Sequence, residues 1–400
     1  MVDGAGLVPM ERNFGSTEKS IGARLVGLSG SALFRDRRYG QMPYSGAALV
    51  SAPVVAERRA RSGIAGISYF AISKSLILLS IVACGMIKAQ PSSSEPNLAK
   101  PGIKEVQIPF ASLKPSATIK VGGTADWVLI TDDAVWVAST KPHAVLRIDP
   151  ATNKTVATVQ VFGEACSGLA SGFGSIWVPV CGKKPVLVRI DALKNMLSAT
   201  LAIAPAGPEG GITTSEDSVW MTTDNNGTLS RIDPSTNRVR QAISIPPGSY
   251  NPVFSNGIVW ITGVQSSFLT AVDAANGKVL ESIPVGPKPR FLTAGGGSVW
   301  TLNQGDGSVS RVDEKSRKLI ATIQLGIPGT GGDIGYGAGS VWPTVFGVPL
   351  TRLDATTNKV LRQWVGAGGD SLRYGFDSIW ITDYKRGLLS RIPMRQVLTQ

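Results

Sequence analysis

Seven pairs of residues stand nine and ten positions ahead of seven evenly spaced tryptophans. The pairs are Asp126-Trp127, Ser167-Gly168, Gly210-Gly211, Tyr250-Asn251, Arg290-Phe291, Gly332-Asp333 and Asp370-Ser371. They precede Trp136, Trp177, Trp220, Trp260, Trp300, Trp342 and Trp380, and Glu209, Arg373 and Tyr374 adjoin them. The pairs differ from one another, whereas the residues around the tryptophans repeat. Acidic, basic, amide and aromatic side chains presented together suit a polar or peptidic ligand, or a protein partner. The ligand-binding candidates are therefore Asp126, Trp127, Glu209, Tyr250, Asn251, Arg290, Phe291, Asp333, Asp370, Arg373 and Tyr374. An alternative chemistry uses the oxygens of Asp126, Glu209, Asn251, Asp333 and Asp370 to hold one divalent cation, as a metal-dependent lactone hydrolase would need.

Counts exclude much else. The chain has one histidine, His143, and three cysteines, Cys84, Cys166 and Cys181. That scarcity argues against a His/Cys zinc cluster. No nucleophile elbow, Walker loop or Rossmann fingerprint occurs in a helical context. No residue is assigned a catalytic role, and no cofactor is expected beyond the cation of the alternative reading.

The elements that must position these residues are read from the period. Successive tryptophans are 38 to 43 residues apart, the spacing of a propeller blade or solenoid unit. Within a unit the apolar period is 2, so the elements are strands. Around Trp300, "RFLTAG", "SVWTLN", "VSRVD" and "KLIATIQL" are four strands separated by Gly-rich or polar turns. Four antiparallel strands in about 40 residues make one blade, and seven make an all-β seven-bladed propeller. The paired residues then enter the innermost strands at the central channel. Loops between second and third strands add His143, Asp224, Gln265, Gln304, Tyr384 and Arg386 to the same face.

"RIDPST" and its relatives end each third strand. Asp149, Asp191, Asp233, Asp273, Asp313 and Asp354 hold one place, where an Asp side chain accepts backbone N–H groups of the following turn. Asn153, Asn237, Asn358 and Gly277 follow where a left-handed residue is needed. The repeated arginines, Arg147, Arg189, Arg231, Arg311, Arg352 and Arg391, are expected to pack between blades, as are the tryptophans. The last blade lacks its outer strand, but "ATIKVGG" (117–123) matches "ATIQLG" (321–326). The ring is therefore predicted to close by pairing 117–121 with 388–392, which removes the last open edge.

Repeats such as "VSRVDEKSRKLIATIQLG" resemble those of the YVTN-type and virginiamycin-B-lyase-like seven-bladed propellers of bacteria and archaea. The resemblance covers residues 117–400 and rests on turn and packing positions. It implies the propeller fold, and a divergent lyase at the channel face as part of the alternative reading. The lyase branch is implied to use paired His and Glu residues with magnesium, whereas this sequence has His143 alone and no Glu-x-His pair.

The first hundred residues read differently. Residues 1–62 show no sustained period and are expected to be disordered or an over-extended gene start. Residues 63–89 have the layout of an export signal, with Lys74 before the apolar run 76–83. "IVAC" (81–84) makes Cys84 a candidate lipidation site; cleavage after Ala89 and an uncleaved anchor are the rivals. Residues 90–103 read as a Pro/Ser spacer, and 104–400 as the propeller. A periplasmic or extracellular monomer is expected, touching a membrane only through its N-terminus. The net charge of +12 is spread along the chain, which argues against nucleic acid. Within "CSGLASGFGSIWVPVC" the turn centre sets Cys166 opposite Cys181, predicting a disulfide, with two buried thiols as the alternative.

Overall fold

Each second strand carries a Val/Ile-Trp pair and is apolar on both faces, so it must be covered on both sides. In the computed structural model, which describes residues 102–400, that cover comes from the neighbouring sheets. The expectations for 1–62, for the export signal and Cys84, and for most of the spacer lie outside the described residues. The described residues form seven sheets, one per blade, with successive blade strands antiparallel. Blade 1 runs Ala125–Ile130, Val135–Thr140, His143–Asp149 and Lys154–Gln160, from the channel outward. Its second strand is buried at every position, while its outer strand is largely exposed. The seven repeat tryptophans are at most 1% exposed, wedged between blades.

The repeated arginines explain how blades are held together. Arg147, Arg189, Arg231, Arg311 and Arg391 lie directly across from Trp136, Trp177, Trp220, Trp300 and Trp380. Each guanidinium stacks over that ring at 4.7–5.5 Å, a cation–π arrangement. Four of them also reach the turn asparagine of the next Asp-x-x-x-Asn corner, as Arg147 reaches Asn195 (3.1 Å), Arg189 reaches Asn237 (2.9 Å) and Arg311 reaches Asn358 (2.9 Å). The turn asparagines have φ near +58°, as expected of a left-handed corner. The preceding aspartates accept N–H groups two or three residues on, for example Ser235 N to Asp233 Oδ1 at 2.7 Å. Blade 4 departs from this scheme. Ala271 replaces the arginine, Asn256 bonds Glu314 of blade 5 instead, and the Trp260 indole N–H is buried without a partner.

Ring closure follows the sequence prediction. Ala117–Lys120 pairs antiparallel with Leu388–Pro393, with Ala117 opposite Arg391 and Lys120 opposite Leu388. A feature not predicted is a fifth strand on blade 6: Gln107–Pro109 pairs parallel with its outer strand, Val360–Gly366. The following residues cover Trp364 and the C-terminal helix Met394–Thr399 through Phe110 and Leu113. No helix among the described residues is long and apolar enough to cross a membrane.

Cys166 and Cys181 form a disulfide with Cα atoms 5.6 Å apart. The predicted pair is right, but the register that suggested it is not. Near the turn the pairing is Gly172 with Ser175 and Ala170 with Trp177. Beyond a break at 166–169 it slips by two, so that Glu164, not Cys166, lies opposite Cys181. The disulfide therefore joins diagonal neighbours across an interrupted innermost strand. The extra residues of that break are what bring Ser167 and Gly168 to the channel.

Candidate channel-mouth binding site

Two consecutive residues of a regular strand point to opposite faces, so neighbours such as Asp126 and Trp127 should not share one. Local irregularity allows it. The innermost strands of blades 1, 4 and 5 slip register between Ala125 and Val128, Ser249 and Pro252, and Pro289 and Phe291. Such bulges re-aim side chains, and they fall on the pairs singled out in the sequence.

Trp127 and Phe291 meet across the channel, from blades 1 and 5, with ring centroids 6.1 Å apart and planes inclined by 58°. Both rings are buried, and they form a floor beneath the mouth. A cavity of about 250 Å³ is lined by Trp127, Phe291, Asn251, Asp333, Arg373 and small residues of blades 2 and 3. Gly211 is required there, because a Cβ would come within 2.3 Å of Asn251 Oδ1.

The charged groups sort into two sets. In the first, each acid has a cation. Arg290 pairs with Glu209 at 2.8 Å, donates to Tyr250 Oη at 3.3 Å and stacks over the Tyr250 ring at 4.7 Å, linking blades 3, 4 and 5. Asp333 is paired with Arg373 and accepts the Ser371 hydroxyl at 2.8 Å. Glu209 adopts φ of +59°, a strained conformation for a residue with a side chain. It is held by its N–H bond to Cys166 O (2.5 Å), so the disulfide braces the mouth. Asn251 donates to Glu209 O (3.2 Å) and Arg290 O (2.9 Å), bracing the same arc.

In the second set, Asp126 and Asp370 have no cationic partner among the described residues. Burial holds the Asp126 carboxyl well above the usual range, and the charges of Asp370, Glu209, Asp333 and Glu164 push the same way. Burial likewise lifts Asp370 to about 7, against the lowering effect of the Gly332 N–H bond (2.9 Å) and with help from Asp333, Glu209 and Asp383. Tyr384, from the loop of blade 7, is raised by burial and then by the charge of Asp126. Tyr250 is raised by burial, with Arg290 opposing.

Ten of the eleven candidates are thus placed around the mouth and its floor. Tyr374 is not: its ring lies against Gly337, between blades 6 and 7, where a Cβ would be only 2.3 Å from it. Strand alternation turns it away from Arg373. Of the oxygens proposed for a cation, Glu209 and Asp333 are committed to arginines. Among the described residues no group of three or more His, Cys, Asp or Glu is placed to hold a metal ion.

The sequence reading missed a set of threonines two residues after the tryptophans, although the W-x-T pattern was visible. Thr222, Thr262 and Thr344 donate to the carbonyls of Tyr250 (2.8 Å), Arg290 (3.0 Å) and Asp370 in the next blade. Thr262, Thr344 and Thr382 also accept from the N–H of Asn251, Asp333 and Ser371 at 3.3, 2.6 and 3.0 Å. These hydroxyls fix where each channel residue begins.

No protein-family model matches the chain, and no curated protein matches it. Solved structures do share the fold. Virginiamycin B lyase from Staphylococcus aureus is 17% identical with a TM-score of 0.59, covering 69% of this chain and 98% of that one. A streptogramin B lyase is 18% identical with a TM-score of 0.56, covering 69% and 96%. The chain is a virginiamycin-B-lyase-like seven-bladed propeller in fold.

Proposed function

We propose that the chain is a non-catalytic binding propeller acting outside the cytoplasm, with its ligand seated over the channel mouth. The carrying observation is that side chains from blades 1, 3, 4, 5, 6 and 7 converge above a floor closed by Trp127 and Phe291. A mouth with a floor holds a ligand and does not conduct one. Bulges, threonine bonds and the disulfide pre-organise it, which lowers the cost of binding. The disulfide fits an oxidising compartment, as does the export-signal reading of 63–89.

The test is a screen of peptides and small polar compounds by thermal shift, followed by affinities for Arg290→Ala and Asp333→Ala. Loss of binding in folded variants supports the reading; unchanged affinity in both moves the site elsewhere. Trp127 is 5% exposed and belongs to the core, so Trp127→Phe is the useful variant there. Truncation to Ala would cost on the order of 3–5 kcal/mol of stability.

A second reading, a lyase or lactone hydrolase at the same face, is favoured by one observation. A carboxyl near 7, as at Asp370, suits general acid–base work at neutral pH. Turnover of a cyclic depsipeptide or lactone that Asp370→Asn abolishes would establish it.

A further inference from the structure

Beside the Trp127–Phe291 floor is a nook of about 10 Å³. It is lined by Asp126, Asp370, Glu209, Trp127, Phe291 and Ser371, with no lysine, arginine or histidine among them, and of its three acids Glu209 is already paired with Arg290. We propose that it is the seat of a primary ammonium group, with an acceptor next to it, on the ligand held at the mouth. This rests on the reading of the mouth as a binding site.

Charge comes first. Among the described residues the half-buried Asp126 receives no hydrogen bond or ion pair, and Asp370 is bonded only at Oδ1, leaving Oδ2 without a donor. Asp370 is 9% exposed. An unpaired carboxylate at the burial of Asp370 is costly, and a bound cation removes the cost. Size comes second. A volume near 10 Å³ admits about one water-sized group, which an –NH₃⁺ matches and a guanidinium or quaternary ammonium exceeds. Two aromatic rings suit a cation further.

An independent observation concerns a donor. The Trp127 indole N–H is buried and has no partner. Buried donors are nearly always satisfied, and this ring lines the nook, so an acceptor on the ligand that reaches the N–H would satisfy it. Ammonium and adjacent carbonyl together are the chemistry of an α-aminoacyl group, as at a peptide amino terminus.

The experiment uses the full chain labelled with ¹⁵N-tryptophan, with Trp127→Phe identifying the Trp127 indole resonance. Near neutral pH, glycinamide and ethylammonium are expected to shift that resonance, glycinamide binding more tightly. N-acetylglycinamide and tetramethylammonium are expected not to shift it. Asp126→Asn and Asp370→Asn should each weaken glycinamide by about tenfold or more, with an unchanged fold by circular dichroism. If N-acetylglycinamide shifts Trp127 as strongly, or both Asn variants bind glycinamide normally, the ammonium seat is overturned while the mouth reading stands. A shift by magnesium chloride alone that displaces glycinamide replaces the seat with a metal site and also overturns it. No shift with any probe overturns it too; the mouth reading itself falls only if screened ligands are insensitive to Arg290→Ala and Asp333→Ala.

Discussion

Arg391 donates from Nη1 to Asn153 Oδ1 at 2.9 Å, joining the last blade to the first across 238 positions of sequence. The same guanidinium bonds Pro150 O (2.6 Å), Phe376 O (3.0 Å) and Ser378 Oγ (2.9 Å), and stacks on Trp380 at 5.0 Å. Ring closure thus uses a side-chain latch as well as a shared strand. Arg391→Ala should lower stability by about 2–4 kcal/mol, since it strands several part-buried acceptors and removes the stacking on Trp380. Arg391→Lys should recover little, because an ammonium cannot fork. Arg352, whose bond to Ser340 is 3.4 Å long, should tolerate Ala far better. Thermal midpoints of the three variants decide this.

The shared strand makes a stronger demand. Ile119 is 8% exposed and packs with Leu389 and Val137. Removing 117–121 from the chain would uncover the edge of Leu388–Pro393, and open edges pair with other chains. The expected result is a steep fall in thermal midpoint with aggregation in size-exclusion chromatography. A monomeric, equally stable product would refute the closure argument.

Asp370 predicts an inverted pH response. Its folded carboxyl titrates at about 7, above the ordinary value near 4. Between those limits the folded state holds more protons than the unfolded one, so stability from this group falls as pH rises from about 4 to 7 and then levels off. The groups facing it are the carboxylates of Asp126, Asp333, Glu209 and Asp383 and the Gly332 N–H, while Arg290 and Arg373 are committed to Glu209 and Asp333. Asp370→Asn keeps an acceptor for Gly332 and removes the charge. It should stabilise the protein by a few kcal/mol above about pH 7, on the order expected for such a shift, and by almost nothing near pH 4. Denaturant unfolding at both pH values measures it, and an equal effect at both would contradict it.

The half-buried corner aspartates behave in the opposite sense. Hydrogen bonds from Ser235 hold Asp233 down at about 2, and Asp149, Asp313 and Asp354 are lowered by similar bonds. Their stabilisation is present above the usual Asp range and is lost as pH falls through the lowered values. Asp233→Asn should therefore lessen the acid sensitivity of unfolding below about pH 4, with little effect at neutrality.

The disulfide closes a loop of sequence separation 15. The chain-entropy estimate for such a loop is about 3 kcal/mol. Cys166→Ser with Cys181→Ser should lose up to that amount. Because Cys166 O receives the Glu209 N–H, the variant should also weaken any ligand held at the mouth. Equal affinity in oxidised and reduced protein would show that the brace is structural only.

The sequence by itself determined the blade count, the strands, the Asp corners and the closing strand. All of these depend on local patterns: a period of 2, a turn residue at a set offset, a missing segment found at the other end. It also determined which residues enter the channel, because the distance from Trp136 back to Asp126 and Trp127 is repeated in every blade. Tertiary structure alone decided how those residues are used. Glu209 and Arg290 pair from blades 3 and 5, and Asp333 and Arg373 from blades 6 and 7, leaving Asp126 and Asp370 unpaired. Nothing in the spacing distinguishes these four acids. Bulges at Asp126, Tyr250 and Arg290 turn neighbouring residues to one side, whereas the regular strand at Tyr374 turns its ring into the gap beside Gly337. The slip that sets Glu164 against Cys181 is of two residues, so it moves the pairing without exchanging faces. A one-residue change of register reverses every side chain beyond it, and registers near the channel are set by contacts between blades whose partners are 26 residues or more apart in the chain.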